Sequence, residues 1–325
     1  MAKTNEKSLL VIGECMMELA ESGAFYKRAF AGDTYNSAVY AKRRHPNIDV
    51  QILTAVGSDA VSEAMKAQWD RDGIGHQLVM TSENTHPGIY AISTDDQGER
   101  SFTYWRKNSA ATEFVSLLTP AVKERASAFN LVFVSGISLA ILSDTDKADF
   151  LEFLRSMRSK GATIAFDPNY REVLWNDKNH AAHWVSEAYR LTDVALPGLT
   201  DQKELFGHQC EQDVRLFLDG FEIKEIVLKA EDQGVYGYQR EQPSVHLPIA
   251  QQANPTDTTG AGDSFAGTYL AERLAGTSME LALKSAAKVA SLVIQHSGAI
   301  VDKTLYEAFT KEALKKEGPF YGGIG

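Results

Sequence analysis

The stretch Asp257-Thr258-Thr259-Gly260-Ala261-Gly262-Asp263-Ser264-Phe265 holds residue types that suit group transfer. Gly260 and Gly262 allow a tight turn and bring backbone N–H groups close to a ligand. Behind them Phe265, Tyr269, Leu270 and Leu274 recur at helical spacing. A glycine-rich turn that opens a helix attracts anions, because unpaired N–H groups and the positive dipole end face the ligand. Asp263 sits beside that turn. A carboxylate there is poorly placed to hold a phosphate but well placed to take a proton from a nucleophile attacking one.

Two glycines before a helix also describe an ordinary loop, so competing motifs matter. A dinucleotide fingerprint needs a third glycine where this chain has Phe265. No Gly-x4-Gly-Lys-Ser/Thr phosphate loop occurs. Other polar residues invite attention. Asp33 and Asn36 follow Gly32 at the mouth of a helical pattern. Asp167-Pro168-Asn169-Tyr170-Arg171 closes a strand pattern, and Lys229-Ala230-Glu231-Asp232-Gln233-Gly234 follows another. His180 and His183 lie three apart without further ligands and read as surface residues.

The elements that must position these groups alternate. Ser8-Leu9-Leu10-Val11-Ile12-Gly13 reads as a buried strand. Residues 14–31 read as short strands that leave the main sheet. Gly32 reads as a turn, with Asp33 or Thr34 as N-cap of the helix that follows. Strands are expected at 49–57 and 77–80, with a helix at 62–72 between them. Residues 87–94 and 100–106 form an aromatic-rich hairpin turning at Gly98. From residue 130 the alternation is regular, with strands at 131–136, 162–167, 193–196 and 225–229. Helices are expected at 146–160, 181–191, 202–206, 214–218 and, last, 282–295. Such alternation predicts an α/β fold with a mostly parallel sheet covered by helices on both faces. The hairpin and part of 14–31 would form a small β lid. The final residues, 317–325, read as a tail.

A chain of 325 residues suits one large domain, and 44% hydrophobic with 23% charged residues is ordinary for a globular protein. The formal net charge of −10 speaks against nucleic-acid or anionic-membrane partners. No apolar run reaches membrane-spanning length, and the N-terminus lacks a signal-peptide core. Cys15 and Cys210 are isolated, so neither a disulfide framework nor a thiolate metal site is suggested. A cytoplasmic location is the expectation.

The nonapeptide closely resembles the C-terminal signature of the ribokinase-like (PfkB) carbohydrate kinases. The resemblance implies a ribokinase-like fold as a single kinase domain over 1–325, with a lid from about 14–31 and 87–107. It implies that Gly260, Ala261 and Gly262 form the anion hole for the transferred phosphate and that Asp263 is the catalytic base. Gly32-Asp33-Thr34 resembles the N-terminal signature, with Ala31 in place of one glycine, so Gly32, Asp33 and Asn36 are expected to touch sugar hydroxyls. ATP and Mg2+ are the implied cofactors, with a monovalent-cation requirement left open. Lys229 and Gly234 match the segment beside the nucleotide, and Asn254, Ala290 and Val293 are expected to border adenine. Where the family has Pro-Asn-x-x-Glu near magnesium, this chain has Pro197-Gly198-Leu199-Thr200-Asp201, which leaves Asp201 as the metal candidate.

Further matches at Gly88-Ile89-Tyr90, Tyr104-Trp105-Arg106-Lys107-Asn108-Ser109-Ala110-Ala111 and Leu196-Pro197 resemble the branch acting on six-carbon 2-keto-3-deoxy acids. Such a substrate carries a carboxylate, which the planar fork of an arginine matches with two hydrogen bonds. Arg106 and Arg171 are the expected clamp, with Tyr90 and Tyr104 as hydroxyl donors or an apolar wall. A lid-to-lid dimer is expected, as the family precedent implies. The alternatives are a neutral-sugar kinase such as a fructokinase, or a non-catalytic sugar-binding regulator on the same fold. The intact Asp263 speaks against the regulator, because a binder needs no base.

Overall fold

The computed structural model describes residues 7–94, 100–248 and 255–317. In chain order its strands are β1 (Ser8–Ile12), β2 (Met16–Ser22), β3 (Phe25–Ala31), β4 (Asp49–Leu53) and β5 (Ala55–Val56). Then come β6 (Met80–Thr81), β7 (Ile89–Thr94), β8 (Arg100–Trp105), β9 (Leu131–Ser135) and β10 (Thr163–Asp167). The remainder are β11 (Val194–Ala195), β12 (Glu225–Lys229), β13 (Val235–Gln239) and β14 (Val245–Leu247).

The main sheet runs β14-β13-β12-β11-β10-β9-β1-β4 among the described residues. From β4 to β12 its pairings are parallel. The continuous apolar runs explain this, because a strand buried on both faces needs apolar side chains at every position. Leu10, Ile12, Val132, Val134, Ile164 and Phe166 enter the core on one face. Leu9, Val11, Leu131, Phe133 and Ala165 enter the core on the other. The edge pair β13 and β14 is antiparallel and was not foreseen. Gly237 permits that edge: a Cβ there would lie 2.7 Å from the Met279 sulfur.

A second sheet runs β3-β2-β7-β8. It comes from the two segments expected to form the lid, and β7 pairs antiparallel with β8 as the hairpin requires. The expected turn at Gly98 lies outside the described residues, as do 318–325 of the expected tail.

Several boundaries moved for identifiable reasons. The strand expected at 49–57 breaks at Thr54: β4 joins the main sheet, whereas β5 pairs with β6 in a separate sheet. Only Met80 of the expected 77–80 strand is in β6. Neither Asp33 nor Thr34 caps the helix Asp33–Arg44. Its N-cap is Gly32, and a Cβ there would lie 2.3 Å from the Glu14 carbonyl oxygen. The expected 146–160 helix begins earlier, at Asp144, because the Ser143 side chain caps it by accepting from Asp146 N. The expected 282–295 helix spans Met279–Val293 and is followed by a helix at Lys303–Glu317. That last helix docks through Tyr306, whose ring lies 6.1 Å from that of Tyr40.

Candidate active site

Two helices bring the site together. The helix Ala261–Ala275 lies against Asp33–Arg44 so closely that a Cβ on Gly267 would sit 2.0 Å from the Ser37 carbonyl oxygen. Glycine is the residue that permits this approach. At the far end Glu272 accepts from Arg44 Nε at 2.5 Å and from His45 at 3.2 Å. At the near end the two N-termini meet. Asn36 Nδ2 donates to Asp263 Oδ2 at 2.8 Å, and Ser37 Oγ donates to the Asp263 carbonyl oxygen at 3.0 Å.

Asp263 has the electrostatics of a base. Loss of water around it, then the charge of Asp33, raises its carboxyl from 3.8 to about 7. The Asn36 amide and the Lys229 ammonium oppose the rise. A carboxylate poised near neutrality can accept a proton that an ordinary aspartate would hold too weakly. Asp33 accepts from Asn169 Nδ2 at 2.9 Å, which ties the first helix to the segment after β10. Asn169 has φ of 36°, and its backbone N–H donates to Asp167 Oδ1 at 3.2 Å. Lys229, at the end of β12, pairs with Asp167, at the end of β10. Two strand ends and two helix N-termini thus supply the polar groups, in the crevice where parallel sheets collect ligands.

The glycine turn has the expected shape. Gly260 has φ of 77°, and a Cβ there would lie 2.7 Å from Ala299 Cα, so both conformation and space demand glycine. Gly262 is open, with only Lys229 Nζ within 3.9 Å of a Cβ. Asp257 fixes the loop by accepting from Thr259 N at 3.0 Å and from Gly298 N at 2.7 Å. Burial works against its charge, but these two bonds and the Arg100 guanidinium hold its carboxyl below the usual range. Arg100 reaches it from β8 as an ion pair.

Two cavities meet at this point. The first, about 460 Å³, is lined by Gly32, Asp33, Asn36, Tyr90, Tyr104, Arg106, Arg171, Gly260 and Asp263, among others. Every residue expected to touch the sugar is therefore on one cleft. Tyr90 and Tyr104 stack at 5.6 Å, and Tyr90 donates its hydroxyl to Glu18. Arg106 pairs with Glu14, which also accepts from Ser109 Oγ at 2.5 Å. Burial pushes the Glu14 carboxyl up, against the pull of Arg106. Arg106 makes that pair through Nη2, and its Nε has no hydrogen-bond partner among the described residues. Arg171 is half exposed. Its Nη1 donates to the Tyr170 carbonyl oxygen at 2.7 Å and lies 3.9 Å from Asp201.

The second cavity, about 290 Å³, is lined by Gly198, Asp201, Lys229, Glu231, Gly234, Ala261, Gly262, Phe265 and Ala290, among others. Lys229 and Gly262 line both cavities, so a group bridging them passes Asp263. Ala290 is at this cleft as expected. Val293 is not on it. It is fully buried in a small core with Tyr40, Val289 and Tyr306. Asn254 lies outside the described residues.

The residues fit a polyphosphate with magnesium, and the fit is a sparse one. Burial and the charge of Asp167 raise the Asp201 carboxyl to about 6, a strain that a divalent cation would relieve. Among the described residues no group of three or more acidic, histidine or cysteine side chains could hold a metal. Mg2+ tolerates that, since it takes most of its ligands from phosphates and water.

Sequence reasoning missed Glu14, Arg100 and Asp257 as site residues and gave no individual role to Asp167 or Asn169. The last two lay inside a quoted segment at a strand end, which was a usable signal. Asp257 likewise opened a quoted stretch, with Thr259 N two residues away, but Arg100 and Gly298 are remote from it. The ion-pair partners of Glu14 and Arg100 are remote, so local pattern held no signal for those two.

Fold and site together have the form of a small-molecule kinase, with a glycine turn opening a helix beside two adjoining cavities. The model of the pfkB family carbohydrate kinases matches residues 6–304, and the chain belongs to that family. The chain is 40% identical over 305 residues to the 2-dehydro-3-deoxygluconokinase of Escherichia coli strain K12, covering 91% of this chain and 98% of that one. Among solved structures, an Escherichia coli protein assigned as ribokinase II, in complex with ATP and Mg2+, superposes with a TM-score of 0.81 at 20% identity. That match covers 94% of this chain and 99% of the other. The 2-dehydro-3-deoxygluconokinase of Thermotoga maritima gives 0.78 at 18% identity, covering 94% and 100%. At such identities the two structures speak for the ribokinase-like fold alone.

Proposed function

We propose that this chain transfers the γ-phosphoryl group of ATP, with Mg2+, to the terminal hydroxyl of 2-keto-3-deoxygluconate. The product is 2-keto-3-deoxy-6-phosphogluconate. One observation carries the kinase reading: the Asp263 carboxylate, raised to about 7, sits where the two cavities meet and beside the glycine turn.

The chain's groups divide the work. Asn36 orients Asp263, which removes the proton of the attacking hydroxyl. The N–H groups of the Gly260–Asp263 turn and the Lys229 ammonium stabilise charge on the transferred group, where phosphoryl-transfer catalysis chiefly lies. Gly32, Asp33 and Asn36 hold hydroxyls. Arg106 and Arg171 hold the carboxylate. When bound, Mg2+ would neutralise phosphate charge, with Asp201 and Asp167 as the acidic groups at hand.

The keto acid is favoured over a neutral sugar because two arginines line one cleft and Arg106, beyond its ion pair with Glu14, keeps its Nε without a hydrogen-bond partner among the described residues. The activity of the Escherichia coli relative, a 2-dehydro-3-deoxygluconokinase, agrees. The test is a coupled ADP-release screen over sugars and sugar acids. The expected result is turnover on 2-keto-3-deoxygluconate well above that on fructose. Silence on every compound would remove the kinase reading and favour a sugar-binding regulator.

We also infer a dimer through the small sheet. Phe25, Tyr26, Tyr104 and Trp105 are all more than half or about half exposed there, at 78%, 55%, 50% and 58%. They stand on both faces of an open sheet, and aromatic side chains left open in this way invite a partner.

A further inference from the structure

Strand β8 carries a period of two that the catalytic scheme has not used. Arg100, Phe102 and Tyr104 alternate with Ser101, Thr103 and Trp105, so the first three share a face. Phe102 and Tyr104 line the sugar cleft, and Arg106 follows just past the strand on the same cleft. Both ends of this row are tied down. Arg106 pairs with Glu14, whose side chain is 1% exposed. Arg100 pairs with Asp257, whose side chain is 5% exposed, and Arg100 itself is 19% exposed. The Arg100 guanidinium also lies 5.7 Å from the centre of the Phe102 ring.

The partner of Arg100 is not an ordinary surface carboxylate. Asp257 opens the glycine stretch and ties it to the 298–299 segment, through Thr259 N on one side and Gly298 N on the other. Gly260 packs on Ala299, so the turn and the 298–299 segment cannot shift independently. Arg100 also lies 3.5 Å from Thr259 Oγ1. The small sheet therefore grips the loop that carries the anion-binding N–H groups. Removing one partner of a pair this far from water leaves a charge uncompensated, unlike the loss of an exposed pair.

We propose that Arg100 is a positioning residue for phosphoryl transfer: its ion pair with Asp257 couples the seating of the small sheet over the sugar to the shape of the glycine turn. This rests on the kinase reading above. Arg100 touches no reacting atom. It acts through Asp257, so that the turn reaches its working geometry only when the sheet covers the sugar cleft. Loss of the pair would loosen the seating of the sheet beside the turn and open the phosphate to water.

The experiment compares wild type, Arg100→Ala, Arg100→Lys, Asp257→Asn and the Arg100→Ala/Asp257→Asn double variant. Three quantities are read: kcat with 2-keto-3-deoxygluconate, ADP released per sugar phosphate formed, and hydrogen exchange of the amides in 257–260 and 298–299. Arg100→Ala is expected to lower kcat about tenfold to a hundredfold, the scale of a small misplacement of catalytic groups. It should raise the ADP-to-product ratio and speed exchange in both loop segments. Affinity for ATP should change by less than about twofold, because the nucleotide cleft does not include Arg100. Arg100→Lys should recover part of the loss, since the charge remains. In the Asp257→Asn background the Arg100→Ala step should have little further effect, the signature of coupled residues. Two results overturn the proposal: unchanged loop exchange in Arg100→Ala, or full additivity of the two substitutions. The exchange readout needs no turnover, so it decides on Arg100 even if the wild type phosphorylates none of the compounds.

Discussion

A base that must take a proton from an alcohol near neutral pH needs a carboxyl held well above its ordinary value, and Asp263 meets that need through its surroundings. Loss of water and the nearby Asp33 charge raise it to about 7. Its ionised form is the active one, so kcat/KM should climb as pH rises through about 7 and level off above. Asp263→Asn should fold, bind ATP and lose about 10²–10⁴-fold in kcat. Near-wild-type turnover in that variant would falsify the assignment. The same shift has a sign for stability. The folded state holds this proton more tightly than the unfolded chain, so stability is lost as pH rises from about 4 through about 7. Thermal melts should therefore show Asp263→Asn more stable than wild type at pH 8, with the gain fading towards pH 4. A variant less stable than wild type at pH 8 would contradict the strained carboxylate. Asp263 was legible in the sequence because the turn, the helix and the carboxylate are contiguous. Glu14 was not. Its role depends on Arg106 and Ser109, more than ninety residues away, and nothing in the local pattern marks a carboxylate as buried.

At the scale of elements the Asn36–Asp263 pair depends on how two helices touch. Gly267 lets Ala261–Ala275 approach the Ser37 backbone, and Asn36 then reaches Asp263. Gly267→Ala must push the helices apart, because the obstruction is a backbone oxygen at 2.0 Å rather than a movable side chain. The expected cost is about 1–3 kcal/mol of stability, as for other overpacked interiors. A loss of kcat should accompany it, because Asn36 and Asp263 separate. Denaturant midpoints with kinetics check both, and a stable variant of full activity would show that the contact has slack. The parallel strands were readable from their apolar runs, and most helices from their spacing. The antiparallel edge of β13 and β14 was not, because Val235–Gln239 mixes glycine, glutamine and two tyrosines without a clean alternation. Val293 shows a related limit. Helical spacing marked it as inward-facing, but only the packing of Tyr306 and Tyr40 shows that inward means a core and not the nucleotide cleft.

At the scale of the whole molecule two matters remain, assembly and the choice of substrate. If the small sheets of two copies pack together, light scattering across a dilution series should show a dimer that loses activity as it dissociates. A monomer, active at every concentration, would oppose the inferred interface. Substrate choice follows from charge. A chain with a net charge of −10 must place positive groups deliberately to hold an anion, and Arg106 and Arg171 on one cleft do so. Hydrogen bonds to charged groups contribute roughly 1.5–3 kcal/mol. Losing one arginine should thus weaken keto-acid use by about one to two decades. The most direct measurement is kcat/KM for 2-keto-3-deoxygluconate and for fructose in wild type, Arg106→Ala and Arg171→Ala. The account predicts that wild type strongly prefers the keto acid and that each substitution erodes that preference while fructose use changes little. A wild type that prefers fructose, or variants that lose both substrates equally, would contradict the carboxylate clamp and make this a neutral-sugar kinase.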